Sequence, residues 1–329
     1  VKYSILIFLT VATLFAQPVT SPFDLAFSPD GSQLAITDRT GNHLFFIETA
    51  SGKISKTIKL EQTPTGLDWR HNLWISDYAA GAIFQPESKS KISVAPKPLG
   101  IAVAPQTKVA VVCGYGTHKV SLVDVARGNE LERLPAGRHP YFADISPDEK
   151  LAVVGSLLPA TSALDPDAAS TVTIIDLENR ETLKELYLPY GSSNLRQVNI
   201  SPDGRWAYAA HTRGRVNLPT NQLERGWVNT NAISIIDLEN LQLYTTILLD
   251  NVQRGAADPG GIALSPDGQT LWVTLTGVDQ LGVIDLQNLH AYLDGSAFPE
   301  HLIPNDAKAK VAYDVWKQIQ EEPSSRLML

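Results

Sequence analysis

The chain has 329 residues, a formal charge of −8, one cysteine and 43% hydrophobic residues. This composition is typical of a globular protein and excludes a disordered chain or a polytopic membrane protein. A net acidic chain without a Lys/Arg cluster argues against nucleic-acid binding, because phosphate neutralisation needs clustered positive charge. The single cysteine, Cys113, excludes an internal disulfide and a C-x-x-C-H haem attachment.

The N-terminal segment is typical of an export signal. Lys2 precedes an apolar run from Ile5 to Phe15, and the small residue Ala16 offers a cleavage position. The run is too short to span a bilayer as a relaxed helix. We therefore predict a Sec-type signal peptide over residues 1–16. This signal implies a bacterial protein that is periplasmic or secreted, with no membrane span after signal cleavage.

From residue 21 onward the chain repeats one pattern. The phrase Ser-Pro-Asp-Gly occurs at 28–31, 201–204 and 265–268, and residues 146–149 are a near copy. Each copy lies between two short apolar runs and predicts a hairpin, because Pro sets φ, Asp caps the turn and Gly accepts a positive φ. A second phrase, of the type found at 172–177, follows with a polar turn and a fourth run.

Each unit therefore contains four strands, which we call A, B, C and D, and six units begin near Pro22, Pro64, Pro98, Pro140, Asn194 and Pro259. Four-strand units of about 40 residues are the sequence signature of β-propeller blades. The sequence thus predicts an all-β propeller of four-stranded blades over residues 21–296. Trp74, Trp206 and Trp272 recur in strand B and are expected to pack between blades, and Cys113 is expected to be buried.

These repeats resemble the YVTN-repeat β-propeller family, with residues 271–275 as the clearest strand B. The resemblance covers residues 21–290 and implies an exported propeller, most members of that family being seven-bladed. The long inserts look most like those of members joined to c-type cytochrome domains. The sequence identifies no cofactor with certainty, and the resemblance implies haem c only if a further domain follows this chain.

Strand order predicts which loops meet. In a propeller the A–B and C–D turns share one face, and the B–C loops and D–A connections share the other, which we call the loop face. The B–C loops of the fourth and fifth units are enlarged, over 156–169 and 211–231, and the D–A connection over 251–259 is long and polar. A rigid scaffold that gathers polar loops on one face is the usual layout of a binding site.

The polar and aromatic side chains of the loop face are the candidate ligand-binding residues: His211, Arg213, Arg215, Asn217, Arg225, Trp227, Asn229, Asn231, Arg254, Asp258, His139, Arg138 and Arg196. Arginines bind carboxylates or phosphates bidentately, and tryptophan stacks on rings. Metal ligation or acid–base chemistry would draw on a second set: His118, His139, His211, Asp165 and Asp167. The alternative for both sets is that the side chains bond to the backbone of their own loops.

The sequence predicts a binding or docking module whose loop face receives a protein or a small molecule. The resemblance implies the propeller part of a periplasmic redox protein. No nucleophile elbow, H-E-x-x-H motif or P-loop is present, so catalysis by this chain alone is not favoured. The alternative is a propeller enzyme, either a lactonase-like hydrolase or a quinone- or metal-dependent oxidoreductase. A third hypothesis is an architectural surface-layer repeat.

After Leu286 the repeat pattern stops. Residues 306–321 are typical of an amphipathic helix that begins after Asp306 and ends before Pro323. Two hypotheses follow: six blades close on themselves, or residues 297–329 form a helical insert or tail before a seventh blade in a longer chain. We expect the second, because the apolar residues 327–329 have no counterpart in the repeat.

Overall fold

The computed structural model describes residues 20–88, 90–162, 164–165, 167–214, 228–250 and 255–295. In this part of the chain every sheet is antiparallel, and its strands lie side by side in sequence order. Each repeat therefore forms its own sheet, and the predicted β-propeller with six blades is confirmed. The predicted signal peptide over 1–16 and the predicted helix over 306–321 lie outside the described residues.

The first three blades have four strands each. Blade 1 consists of β1 (Pro22–Phe27), β2 (Gln33–Asp38), β3 (His43–Glu48) and β4 (Lys53–Lys59). Blade 2 consists of β5 (Pro64–Asp68), β6 (Trp74–Asp77), β7 (Ala82–Phe84) and β8 (Lys91–Ser93). Blade 3 consists of β9 (Pro98–Val103), β10 (Val109–Gly114), β11 (Lys119–Asp124) and β12 (Asn129–Pro135).

Blades 4 and 5 also have four strands, whereas blade 6 has three in the described residues. Blade 4 consists of β13 (Pro140–Ile145), β14 (Leu151–Ser156), β15 (Thr171–Asp176) and β16 (Glu181–Tyr187). Blade 5 consists of β17 (Ser192–Ile200), β18 (Trp206–Gly214), β19 (Asn229–Asp237) and β20 (Gln242–Leu248). Blade 6 consists of β21 (Pro259–Leu264), β22 (Thr270–Leu275) and β23 (Gln280–Asp285), and α1 (Leu286–Leu293) follows it.

The Ser-Pro-Asp-Gly turns close the A–B hairpins through side chains as well as backbone. In blade 5 the Ser201 hydroxyl donates to the Asp203 carboxylate and accepts a hydrogen bond from the Trp206 N–H at 2.9 Å. Asp203 in turn accepts from the Arg205 N–H at 3.0 Å, and Gly204 has φ +75°. The serine therefore satisfies a backbone donor at the start of strand B, a role that the sequence pattern alone did not reveal.

Five apolar clusters fill the boundaries between consecutive blades in the described part of the chain. Between blades 3 and 4, Leu122 meets Val154 and Ile175, and all three are fully buried. Cys113 lies in the same cluster, as predicted, and burial raises the pKa of its thiol far above the ordinary value. Each buried Leu or Ile stabilises the fold by about 1.5–3 kcal/mol, so these boundaries hold the blades together.

The face of blade 1 that points away from blade 2 is not covered by any described residue. Leu25 in β1 is 56% exposed, whereas the residues at its position in the other blades are at most 8% exposed: Leu67, Ile101, Ala143, Val198 and Ile262. Phe27, on the same face of the sheet, is 57% exposed.

Blade 6 has a matching uncovered face, on the side that points away from blade 5. Leu281 and Val283 in β23 are 58% and 64% exposed, although Val120 and Leu122 at the same positions of blade 3 are fully buried. Trp272 lies on this face and is half-buried, so the expected packing between two blades is not seen for it. The two apolar faces flank one opening in the ring of described residues, and closure by a seventh blade remains a prediction.

A short helix takes the place of strand D in blade 6. It begins after Asp285, whose carboxylate accepts from the Asn288 N–H at 3.0 Å. His290 on this helix stacks on Trp206 with ring centroids 4.6 Å apart, and its Nε2 lies 2.8 Å from the Tyr208 hydroxyl of blade 5. The sequence analysis did not predict α1. None of the helices in the described residues has the length and apolar character needed to cross a membrane.

Candidate functional site

The blades surround a central channel, and a cavity of about 960 Å³ extends from this channel into the opening between blades 1 and 6. Residues from all six blades line it. The A strands approach one another closely at the axis, because a Cβ on Gly100 would lie only 2.6 Å from the carbonyl oxygen of Tyr141 on the next blade. Glycine at this position therefore allows the blades to pack around a narrow axis.

Aromatic side chains from opposite sides of the ring meet inside the channel. Phe23 of blade 1 stacks on Phe142 of blade 4, with centroids 6.2 Å apart and planes 16° apart. Tyr141 lies 6.1 Å from Phe23 by centroid and 5.5 Å from Phe142. Phe23 and Tyr141 each follow the proline that begins strand A, so equivalent positions of the repeat supply both rings. The aromatic group narrows the channel below its loop-face mouth.

The residue that directly follows strand B lines the mouth in consecutive blades: Arg39, Tyr78 and Tyr115 occupy this position. The Arg39 guanidinium carbon lies 4.4 Å from the Tyr78 ring centroid and 5.8 Å from that of Phe23. Loop length did not indicate these three residues, because none of them lies in the two longest loops. The signal was the recurrence of large side chains immediately after strand B.

His118 and His139, both predicted as candidate site residues, lie in contact on the loop face. The His139 ring stacks on Tyr115 with centroids 4.4 Å apart, and its Nδ1 donates to the Tyr115 carbonyl oxygen at 2.8 Å. The His118 Nδ1 accepts from the His139 N–H at 3.2 Å. Arg138, the neighbour of His139, is exposed. Each histidine side chain thus forms a hydrogen bond with a backbone group: His139 with the Tyr115 carbonyl, and His118 with the His139 N–H. Both side chains are also partly or fully exposed.

Arg196 and Asp258, also predicted, form an ion pair with Nη1 3.1 Å from Oδ2. Asp258 further accepts from the Asn194 amide at 3.0 Å and from the Thr276 hydroxyl at 2.9 Å. Desolvation, the largest single effect, acts against ionisation, but the hydrogen bond from Thr276 and the charge of Arg196 together hold the pKa of Asp258 below its ordinary value. The carboxylate therefore stays ionised and connects blades 5 and 6.

Asn231 and Asp250 organise the D–A connection into blade 6. Asn231 donates from its backbone and its amide to the Asp250 carboxylate, the amide bond being 2.9 Å long, and its amide oxygen accepts from the Asp258 N–H at 3.2 Å. Asn231 is buried, whereas Asn229 at the start of β19 is exposed. The Asn231 side chain is therefore occupied by the Asp250 carboxylate and by one backbone N–H of the D–A connection, and it has a structural role in this connection.

One glycine joins the described part of the blade 4 B–C loop to the end of β18, where the B–C loop of blade 5 begins. Gly191 donates to the Ala168 carbonyl of the blade 4 loop at 2.9 Å and accepts from the Gly214 N–H of blade 5 at 2.8 Å. In the blade 4 loop, Asp165 accepts from the Asp167 N–H at 2.9 Å. The loop in blade 5 is shorter than the sequence indicated, because β18 continues to Gly214 and β19 begins at Asn229.

His211 consequently lies inside β18 and is fully buried. Its Nδ1 is 3.1 Å from the Thr212 carbonyl oxygen, which only accepts, so Nδ1 carries the proton. Its Nε2 then accepts from the Ser234 hydroxyl at 2.8 Å. Burial lowers the pKa of His211 to about 4, which keeps the ring neutral. Arg213, two residues on, donates through Nε to the Tyr190 carbonyl at 3.3 Å.

Five of the predicted binding residues lie outside the described part of the chain: Arg215, Asn217, Arg225, Trp227 and Arg254. Within the described residues there is no group of three or more His, Cys, Asp or Glu side chains that would hold a metal ion. Asp165 and Asp167 therefore do not form such a group with His118 and His139. Roles in ligand or metal binding for all these residues remain predictions.

Two acidic features line the channel away from the mouth. Asp24 in β1 accepts from the Leu67 N–H of blade 2 at 2.9 Å. Desolvation raises the pKa of Asp24 to about 7, although the residue keeps some exposure to the channel. Further along the axis, Arg70 bridges Asp68 at 3.1 Å and Asp144 of blade 4 at 2.7 Å. This bridge spans the channel near the A–B turns.

Comparison with known proteins places the fold among β-propellers. None of the protein-family models matches the chain. The beta subunit of hydrazine synthase from Kuenenia stuttgartiensis is 25% identical over 279 residues, which span 82% of this chain and 70% of that protein. A solved structure of Kuenenia stuttgartiensis hydrazine synthase matches with a TM-score of 0.73 and 22% identity, covering 88% of this chain and 84% of that chain.

Proposed function

We propose that this chain is the propeller subunit of a multi-subunit redox enzyme and that its loop face docks a partner subunit. The observation that carries the proposal is the 25% identity, over 82% of the chain, to one subunit of a synthase. An alignment of 279 residues includes most of the propeller, so the similarity does not depend on a single motif. The redox character rests on the resemblance of the repeats to propellers of the cytochrome-linked YVTN group.

The chemistry of the loop face supports docking. Arg138 and His118 are exposed there, and Arg39, Tyr78 and Tyr115 line the mouth beside them. Protein interfaces are enriched in arginine and aromatic side chains at their centres, because these residues bury large areas and donate several hydrogen bonds. Haem c, under this proposal, belongs to the partner or to a further domain.

Export is part of the same proposal. A periplasmic or secreted redox assembly requires that residues 1–16 act as a signal peptide and are removed. N-terminal sequencing of the protein purified from its native organism measures this directly. We expect a mature chain that begins after Ala16, and a retained segment 1–16 would contradict export by this route.

The docking proposal is tested by purifying the tagged protein from its native organism. We expect a stoichiometric partner that carries a haem or another redox centre, identified by its absorption spectrum and by mass spectrometry. The double variant His118→Glu, Arg138→Glu reverses charge on the loop face and is expected to release the partner. The matched control, Lys150→Glu, changes an exposed charge at the A–B turn of blade 4, on the opposite face.

Two results would contradict the proposal. The first is release of the partner by Lys150→Glu but not by the double variant, which would place docking on the other face. The second is a protein that purifies alone and, without a partner, hydrolyses lactones or contains one metal ion per chain. That result would favour the alternative of a propeller enzyme.

A further inference from the structure

We propose that the loop-face mouth of the channel is a binding site for an organic carboxylate, with Arg39 as its anchor and aromatic rings as its walls. This inference goes beyond docking, because it assigns a ligand class to the mouth itself. It rests on three observations: the interaction partners of the Arg39 guanidinium, the aromatic rings around it and the cavity below it.

Arg39 differs from the other arginines of the channel in its partners. Arg70 and Arg196 each have a carboxylate oxygen within 3.1 Å. In the described part of the chain the Arg39 side chain forms no ion pair and no hydrogen bond, and its guanidinium carbon lies 4.4 Å from the Tyr78 ring centroid and 5.8 Å from that of Phe23. A guanidinium stacked on a ring keeps its in-plane N–H donors available, and these match the two oxygens of a carboxylate. Arg39 is half-buried, so an added carboxylate would be partly shielded from water.

The rings beside Arg39 form a continuous wall. Phe23 contacts both Arg39 and Tyr141, and Tyr141 lies 6.3 Å from Tyr115 by centroid. Burial is the main cause of a raised pKa at Tyr141, and the charges of Arg196 and Arg39 act against it, which places its hydroxyl within the field of both cations. The wall thus combines apolar ring surface with a phenol that donates hydrogen bonds to an anion.

The charge of the channel agrees with this class of ligand. The cavity of about 960 Å³ includes the opening between blades 1 and 6, so the part assigned to the ligand is the mouth lined by Arg39, Tyr78 and Tyr115. Asp24, which lines the channel away from the mouth, is the feature that opposes an anion. Its carboxylate accepts from the N–H groups of Leu67 and Leu25, and its pKa of about 7 reduces its charge at neutral pH. These partners are backbone groups, so the Asp24 carboxylate does not pair with Arg39 in the described part of the chain.

The carboxylate has two plausible sources, a free small acid or the C-terminus of a polypeptide. Titration calorimetry with benzoate and with phenylacetate tests the small acid, with benzyl alcohol as the neutral analogue. A tetrapeptide that ends in phenylalanine, with a free C-terminal carboxylate or with an amide, tests the polypeptide. We expect all three carboxylate probes to bind and the two neutral analogues to bind at least tenfold more weakly. The probe that binds most tightly, a small acid or the peptide, identifies the source.

The anchor is tested with two variants and a matched control. Arg39→Gln is expected to weaken carboxylate binding at least tenfold, and Arg39→Lys to weaken it less, because lysine keeps the charge but loses the bidentate fork. The control is Arg205→Gln, since Arg205 also lies over a ring, that of Trp206 at 4.8 Å, but at the opposite face. It is expected to leave binding unchanged. Thermal unfolding of each variant confirms that the fold is kept.

Several outcomes would overturn the carboxylate site. They are equal binding of benzoate and benzyl alcohol, native affinity in Arg39→Gln, or no binding of any carboxylate probe at millimolar concentration. These outcomes are separate from those of the docking test. Arg39→Gln leaves His118 and Arg138 intact, so a partner subunit can be retained while carboxylate binding is lost, and the reverse result is equally distinguishable.

Discussion

Arg196 on β17 and Asp258 before β21 face each other across the boundary of blades 5 and 6, with Nη1 3.1 Å from Oδ2. Asp258 has φ +58°, an uncommon conformation for a residue other than glycine. Its hydrogen bonds from Asn194 and Thr276 hold the connection in that conformation. The pair is therefore a bridge between blades at the rim of the candidate site.

We predict that Asp258→Asn lowers the free energy of unfolding by about 1 kcal/mol. The value is modest because Arg196 and Asp258 are each more than one third exposed, so water screens the pair. Urea unfolding followed by circular dichroism measures the change. The control is Lys150→Ala, which removes an exposed pair whose atoms are 3.8 Å apart and is expected to change stability by less than about 0.5 kcal/mol. Equal losses in the two variants would contradict the bridging role.

The buried His211 makes stability depend on pH. Its folded pKa of about 4 lies below the ordinary value of 6.5, so the unfolded chain binds the proton first. Its stabilising contribution is complete above pH 6.5 and is lost as the pH falls toward 4, by at most about 1.4 kcal/mol per pH unit. We expect His211→Asn to reduce this slope, as measured by urea unfolding at several pH values.

The matched control for His211 is His71→Asn, because His71 is exposed at the A–B turn of blade 2. This variant should keep the slope of the unaltered protein. If His211→Asn keeps the full slope as well, another group causes the loss of stability in acid.

Glu149 replaces the glycine of the turn phrase in blade 4 and has φ +58°. Its buried carboxylate accepts from the backbone N–H groups of Gln106 and Thr107 in blade 3, at 2.9 and 2.7 Å. A positive φ costs a non-glycine residue about 1 kcal/mol, whereas hydrogen bonds to a charged group contribute about 1.5–3 kcal/mol each. Two such bonds exceed the strain, so we predict that Glu149→Gly is less stable by about 2–5 kcal/mol, although it restores the consensus of the repeat.

Thermal and urea unfolding of Glu149→Gly test this balance. Glu178→Gln, at an exposed position of the next turn, is the control and is expected to have no measurable effect. A stabilised Glu149→Gly would show that backbone strain exceeds the contribution of the bonds to blade 3.

The uncovered faces of blades 1 and 6 make the number of blades testable. We predict that a seventh blade covers Leu25 and Leu281 in the protein purified from its native organism. Leu25→Cys and Leu281→Cys should then react with a maleimide at least tenfold more slowly than Leu164→Cys, because Leu164 is 94% exposed in a loop. Cys113 is buried and does not interfere. Labelling of all three variants at one rate would contradict the seven-bladed ring.

The repeat phrases were sufficient to predict the fold. Ser-Pro-Asp-Gly between apolar runs encodes a hairpin by local chemistry, so the positions of strands A and B followed directly. The repeat pattern does not explain Glu149. Its positive φ is stabilised by a hydrogen bond to blade 3, and such a contact between blades cannot be read from the sequence of its own turn. Helix α1 was missed for the same reason, since it packs on Trp206 and Tyr208 of another blade.

The candidate site was predicted less completely than the fold. Strand order predicted that His118, His139, Arg196 and Asp258 share one face, and the structure brings His118 beside His139 and Arg196 beside Asp258, pairs that the order of strands alone does not specify. The sequence predicted His211 in a loop, which is wrong: the strands of blade 5 are longer than expected, so His211 lies within a strand and is fully buried. Arg39 and Tyr78 were not selected, because their proximity depends on the spacing of two blades around the axis.

The opening between blades 1 and 6 has a consequence for how the described part of the molecule comes apart. A sheet that contacts only one neighbour loses a single interface when it detaches, whereas an inner sheet loses two. In arrays with nearest-neighbour coupling, disassembly accordingly starts at the ends. In a fragment of residues 20–295, backbone amide exchange would then be fastest in blades 1 and 6 and slowest in blades 3 and 4. In a molecule whose ring of blades is closed, exchange rates would not differ in this way.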